Sequence, residues 1–313
     1  MSTPAVPPSI CVVTGTDHRQ FEQLFLLRGS LQRYCPGLRL HVCDFGLTDP
    51  QRHFLRRKGI LLEMPAGMEG RAHPWHYKAA LGRYVANLGW DAVVWLDADL
   101  IVLTDIGPLL AALYAGMRER GHILAVAGTG ATIGQQLTIE KAPHFADLVT
   151  RFNLDRRAVY LNSGFFMCRS AAFLQQWSAL CDTMTIEVLF EQNAFNLVAL
   201  TKPGGVQVVD LLRWNLCGNH LGMARVEASA RAAVVMGPQG PAHILHATSP
   251  HRARDLLVAN VNITVDGIAF TARLKMIAHP AGLRDFQQVL VAEAIATDAR
   301  LLLESRLNLL EVR

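Results

Sequence analysis

Asp97 and Asp99 stand one residue apart, directly after the apolar run Ala92-Val-Val-Trp-Leu96. Two carboxylates this close repel, and burial would push one pKa upward. A divalent cation relieves both problems, because Mg²⁺ or Mn²⁺ takes hard oxygen ligands, commonly one or two carboxylates plus substrate phosphates. An extended chain through Asp97-Ala98-Asp99 would send both side chains to one side. The bland alternative is an acidic turn closing a strand. Lys78, upstream of the same run, is either a counter-charge for a phosphate or a solvated surface lysine. His243 and His246 have the spacing of a zinc pair, but no third zinc ligand stands at a convincing distance in sequence.

The elements that must carry these groups alternate. Ile10–Val13, Leu38–Cys43, Gly59–Leu62 and Ala92–Leu96 read as short apolar strands. Phe21–Tyr34, Asp49–Lys58 and His76–Leu88 read as the helices between them, the second with Pro50 in its first turn. This rhythm predicts an α/β fold with a mostly parallel central sheet flanked by helices. In such sheets ligands bind beyond the carboxyl ends of the strands, which is where Asp97 and Asp99 would emerge. Further on, Ile123–Ala127, Val159–Cys168 and Gln207–Asp210 are expected strands, and Phe173–Thr183 and Glu191–Val198 expected helices. Gly128, Gly130 and Gly134 suggest a flexible loop, without the spacing of a phosphate-binding glycine motif. Residues 1–255 would form the catalytic domain. Residues 256–313 would be a mostly helical C-terminal extension, with a strand pair around Asp266-Gly267 and a helix from Asp285.

Composition narrows the class. The 313 residues are 51% hydrophobic and 18% charged, enough apolar material for a large core. A net charge of +4 suits an anionic ligand but is far from the signature of a nucleic-acid binder. The six cysteines form no close metal pair, and reduced thiols in a cytoplasm are expected, with Cys11–Cys43 a pairing the sequence leaves open. MSTPAVPPS lacks the features of a signal peptide, and no segment has the roughly 20 apolar residues of a spanning helix. The expectation is a cytoplasmic protein, with attachment at a membrane surface open.

Four blocks in order carry a resemblance. Val93-Val-Trp-Leu-Asp97-Ala-Asp99-Leu-Ile-Val resembles the Asp-x-Asp segment of nucleotide-sugar glycosyltransferases of the glycosyltransferase A fold, most of all family 8, the glycogenin and lipopolysaccharide galactosyltransferase group. Leu161-Asn162-Ser163-Gly164 is similar to that family's Asn-x-Gly block, and Glu191-Gln192-Asn193-Ala-Phe-Asn196 to its Asp-Gln-x-x-x-Asn block, with glutamate in place of the first aspartate. Ile244-Leu-His246-Ala-Thr-Ser249 resembles its late histidine motif, with Arg252 near the place of its basic residue. The resemblance runs from about residue 10 to residue 253 and leaves the tail without a counterpart.

The resemblance implies a metal-dependent transfer of a hexose from a nucleoside-diphosphate sugar, UDP by default, to a hydroxyl. Asp97, Asp99 and His246 would hold Mn²⁺ or Mg²⁺, with His243 and His251 as alternatives to His246. Thr14, Thr16 and Asp17 would meet the nucleobase and ribose, and Lys78, Ala98, Ser249 and Arg252 would also contact the donor. Asn162, Glu191 and Gln192 would lie around the transferred sugar. Retention of configuration is implied, the leaving phosphate itself deprotonating the acceptor; an inverting route would need a base such as Glu191 or Asp182. A nucleotidyltransferase making a sugar nucleotide, and a non-catalytic sugar-nucleotide or glycan-binding protein, are the competing readings. The acceptor, whether glycan, lipid-linked or protein, is left open, as is a homodimer.

Overall fold

The structure is a computed structural model describing residues 8–201, 204–248 and 256–305. In chain order the strands begin with β1 (Ile10–Thr16), β2 (Leu40–Asp44), β3 (Leu61–Leu62), β4 (Ala92–Leu96) and β5 (Leu100–Val102). They continue with β6 (Leu124–Thr132), β7 (Val159–Cys168), β8 (Val206–Val209), β9 (Leu216–Cys217) and β10 (Arg225–Ala228). Last come β11 (Ala233–Gly237), β12 (Gly240–Pro241), β13 (Ile244–His246), β14 (Leu256–Val265) and β15 (Ile268–Ile277). The helices are α1 (Leu24–Tyr34), α2 (Asp49–Arg57), α3 (Pro74–Ala79), α4 (Leu81–Tyr84), α5 (Gly107–Glu119) and α6 (Ile133–Glu140). They are followed by α7 (Pro143–Arg151), α8 (Ala171–Thr183), α9 (Phe190–Leu200), α10 (Leu211–Trp214) and α11 (Ala281–Glu304).

Seven strands form the central sheet in the order β3-β2-β1-β4-β7-β6-β8. The β1–β4 and β2–β3 pairs are parallel, and β6–β7 is antiparallel. This is the mixed, mostly parallel α/β sheet that the alternating elements predict. β4 is buried along its whole length, as expected of a strand covered on both faces.

The chain divides into two compact units. One comprises residues 1–13, 64–95 and 108–208, the other 14–63, 96–107 and 209–313. In the first, Phe166, Phe173, Trp177 and Phe195 pack at ring distances of 5.1–5.7 Å beneath β7. α9 is buried almost entirely because its polar side chains serve β7: the Asn196 amide donates to and accepts from the Leu161 backbone at 2.9 and 2.7 Å. Burying polar groups at this cost is tolerable only when each is paired.

In the second unit, Phe21, Phe25 and Phe54 pack together and α1 lies on α11. Asp298 on α11, fully buried, forms ion pairs with Arg28 at 2.6 Å and Lys58 at 2.7 Å. The tail is a hairpin as well as a helix: β14 and β15 pair over ten residues each, turning at Asp266-Gly267 with φ of 51° and 78°. Both residues are left-handed, as the tight hairpin turn demands and as Asp-Gly supplies.

Three expectations change. The helix expected over His76–Leu88 is two short ones, α3 and α4, meeting at Ala80, with Gly82 tight against Leu174. The glycine-rich stretch is no loop. It forms the end of β6, with register irregularities between Val126 and Thr132 and Gly130 at φ 83°, and then enters α6. The chain also turns at Asp97 rather than staying extended, as the Leu100 amide donates to the Asp97 carbonyl at 3.0 Å.

Candidate functional site

That turn is what assembles the first cluster. β4 ends at Leu96, the chain reverses through Asp97-Ala98-Asp99, and β5 pairs antiparallel with β13, setting His246 opposite Leu100. The Ala247 amide donates to the Asp99 carbonyl at 2.9 Å, which locks this register beside the aspartates. One ligand atom from each of Asp97, Asp99 and His246 lies within 4.8 Å of the others. His246 Nε2 is 3.0 Å from Asp99 Oδ1 and 3.8 Å from Asp97 Oδ2. Behind the ring, His246 Nδ1 meets Asn215 Oδ1 at 2.9 Å, which fixes the imidazole plane.

A fourth group enters that no motif announces: Lys275 Nζ lies 2.5 Å from Asp99 Oδ2. Burial alone would raise the Asp99 pKa, but Lys275 and His246 hold it well below the usual carboxylate range. Burial likewise opposes charge on His246, yet Asp99 and Cys217 raise it to about 10. Cys217 is buried on β9, alongside His246; burial pushes its thiol up, and hydrogen bonds with His220 and His246 bring it down to about 7. The donor set fits a hard divalent ion, since two carboxylates and an imidazole oriented by Asn215 offer ligand atoms within 4.8 Å of one another.

His243 does not join this cluster. Its Nε2 meets Arg213 Nη2 at 2.8 Å and its ring packs on Trp214, while burial and Arg213 lower its pKa. Among the described residues the Asp97, Asp99 and His246 group is the one set of three able to hold a metal. Ser249, His251 and Arg252 lie outside the described residues.

At the end of β1, Thr14 and Thr16 are buried, and the Thr14 hydroxyl has no hydrogen-bond partner among the described residues. Asp17 Oδ1 accepts from the Arg19 and Gln20 amides at 3.0 and 2.9 Å, the local use of an aspartate in a turn.

The other unit holds a second cluster. Lys78 is not a surface lysine: it is 6% exposed, donates to Ser163 Oγ at 3.1 Å, lies 3.8 Å from Glu191 Oε1 and sits 5.6 Å from the Trp95 ring centroid. The Ser163 hydroxyl stands 3.3 Å from Glu191 Oε2, and its amide donates to Gln192 Oε1 at 3.1 Å. Trp177 Nε1 donates to the Glu191 carbonyl at 3.0 Å. Asn162, half-buried, accepts from the Gly164 amide at 2.8 Å. Lys78, Glu191 and Gln192 are therefore brought together around Ser163, and Asn162 is its neighbour along β7. Leu189, at φ 53°, starts α9 from a left-handed position that a leucine adopts only when its surroundings impose it.

The structure is similar to galactosyltransferase LgtC solved with donor and acceptor sugar analogues, at a TM-score of 0.51 and 18% identity, covering 78% of this chain and 90% of that one. It is similar to the WbbM bifunctional glycosyltransferase at a TM-score of 0.53 and 12% identity, covering 80% of this chain and 48% of that one. The fold is that of the glycosyltransferase A enzymes. An LgtC active-site variant with glutamate in place of glutamine matches at a TM-score of 0.50 and 18% identity, covering 77% of this chain and 90% of that one. No protein-family model and no curated protein sequence matches the chain. Within this glycosyltransferase A fold, Asn215, Cys217, Ser163 and Lys275 are the neighbours that sequence patterns miss. Only Ser163 falls inside a recognised block. Among the described residues no helix is long and apolar enough to cross a membrane.

Proposed function

We propose that this protein is a metal-dependent glycosyltransferase that moves a hexose from a nucleoside-diphosphate sugar, UDP being the expected nucleotide, to a hydroxyl acceptor with retention of configuration. The observation that carries the reading is the convergence of Asp97, Asp99 and His246 at the end of β4 in a glycosyltransferase A fold. Mn²⁺ or Mg²⁺ held by these three would neutralise the charge that develops on the departing diphosphate. Asp97 and Asp99 supply its anionic ligands, and Asn215 keeps the imidazole aimed. Thr14, Thr16 and Asp17 are assigned to the nucleoside, and Ala98, Ser249 and Arg252 to the donor. Asn162, Glu191 and Gln192 are assigned to the transferred sugar. The ion pair of Lys78 with Glu191 gives Lys78 the role of fixing that carboxylate.

The test is a thermal-shift panel with UDP, GDP, CDP and ADP, each with and without Mn²⁺. A ligand at about 100 times its Kd stabilises the native state by about 2.7 kcal/mol. A metal-requiring shift with one diphosphate supports the reading and names the nucleotide. Asp99→Asn should abolish that shift while leaving the unliganded protein folded. A shift that survives in Asp99→Asn would remove the metal assignment.

A further inference from the structure

Lys275 is built into its place. On β15 the side chains of Phe270, Ala272, Leu274 and Met276 are buried, and Lys275 belongs to the alternate face. Its main chain is clamped from outside the hairpin. Gln23, only 3% exposed, donates to the Lys275 carbonyl and accepts from the Lys275 amide, both at 2.9 Å. Two residues earlier, Glu22 accepts from the Arg273 amide at 2.9 Å. Side chains from the segment before α1 thus satisfy the outer edge of β15 at the point where the lysine emerges. The ammonium and His246 Nε2 then take one oxygen each of the Asp99 carboxylate.

Resting on the metal reading above, we propose that Lys275 is a tethered cation that holds the Asp97–Asp99–His246 site in the free protein, competes with the divalent ion, and passes to the donor diphosphate when the ion binds. Asp99 Oδ2 cannot serve an ammonium at 2.5 Å and a divalent ion equally, because the two cations would repel at that distance. With His246 in the neutral form that a metal ligand must take, the two carboxylates and the one ammonium sum to −1. A divalent ion turns this to +1, an excess that a diphosphate cancels. The side chain is 35% exposed and its stem is flexible, so the ammonium has room to leave Asp99. Metal alone therefore binds weakly, and metal with a nucleoside diphosphate binds strongly. That coupling is reciprocal, each ligand tightening the other by the same factor.

The experiment measures Mn²⁺ affinity by electron paramagnetic resonance on the full chain, with and without UDP, for the wild type, Lys275→Met and Lys275→Arg. Lys275→Met keeps most of the stem and removes the charge. It should bind Mn²⁺ alone about tenfold more tightly than wild type, and UDP should tighten its Mn²⁺ binding about tenfold less than in the wild type. Lys275→Arg should keep the wild-type pattern. Equal or weaker Mn²⁺ binding by Lys275→Met without UDP overturns the competition while leaving the metal site standing. UDP binding that needs Lys275 but no metal also overturns it, because the ammonium would then replace the ion. If no variant binds Mn²⁺ even with UDP while melting curves show all to be folded, the metal reading itself falls and takes this inference with it.

Discussion

Replacing Asp298 by alanine should cost about 3–5 kcal/mol, the loss expected when one partner of a buried ion pair is removed and its counter-charge stays behind. Asp298 has no exposed side-chain surface, and the Arg28 guanidinium beside it is 7% exposed, so water cannot take over. Lys58, a quarter exposed, can regain its hydration and contributes less. Unfolding entropy of about 2.1 cal/mol/K per residue, over 313 residues, converts each kcal/mol into roughly 1.5 °C of Tm. The expected fall is therefore about 5–8 °C. Scanning calorimetry at low and high salt reads it, and salt should change it little because the pair is buried. Arg56→Ala, which breaks the exposed pair with Glu63, is the control and should leave Tm almost unchanged. Because α11 packs on α1 and follows the hairpin that bears Lys275, the loss should also loosen the hold on that lysine. A drop of about 1 °C or less in Asp298→Ala would refute the assignment of this triad as the anchor of α11.

Gly29→Ala should destabilise the protein although it improves helix propensity by about 1 kcal/mol, since its Cβ would lie 2.1 Å from the Leu290 carbonyl oxygen, a backbone atom that cannot swing aside. A raised Tm would show that α11 yields there. Asn196→Ala should cost about 1–3 kcal/mol by leaving both backbone groups of Leu161 buried without their partner, read by urea denaturation. Glu140 has its pKa raised to about 7 by burial and by Glu187, so the stability it contributes is complete below 4.5 and is lost as pH rises through 7. Glu140→Gln should accordingly raise stability at pH 8 by roughly 1 kcal/mol, after allowance for partial exposure, and leave it unchanged at pH 4. Equal effects at both pH values would contradict this.

What could be read from the sequence follows from which signals are local. The run Ala92–Leu96 is apolar throughout because it is buried on both faces, and that alone places Asp97 at a strand end. The Asp266-Gly267 turn was equally legible, since both residues must take positive φ. His246 entered through a resemblance; its place beside Asp99 depends on the register of β13 against β5, which no local pattern states. Lys275 is the extreme case. It lies 176 residues from Asp99 and alternates along β15 like any solvent-facing lysine. The break between α3 and α4 comes from packing at Ala80 and Gly82, without proline, so helical periodicity runs straight through it. Glycine and proline in and around α5, α6 and α7 blur their helical pattern in the sequence.

The surroundings of Glu191 bear on the stereochemical route. An inverting enzyme needs a carboxylate free to reach the acceptor hydroxyl. Glu191 is 3% exposed, with Lys78 on one oxygen and the Ser163 hydroxyl near the other, and its backbone carbonyl is held by Trp177. The extra methylene relative to aspartate is used to reach Lys78 and Ser163, where the charge is already balanced. Asp182 is more open but is bound by both terminal nitrogens of Arg71. Neither is arranged as a free base. Retention with the leaving phosphate as base requires no such group; it requires that negative charge be held firmly at the diphosphate. The proposed retaining route would draw that charge stabilisation from a divalent ion on Asp97, Asp99 and His246, with Lys275 released toward the same phosphates.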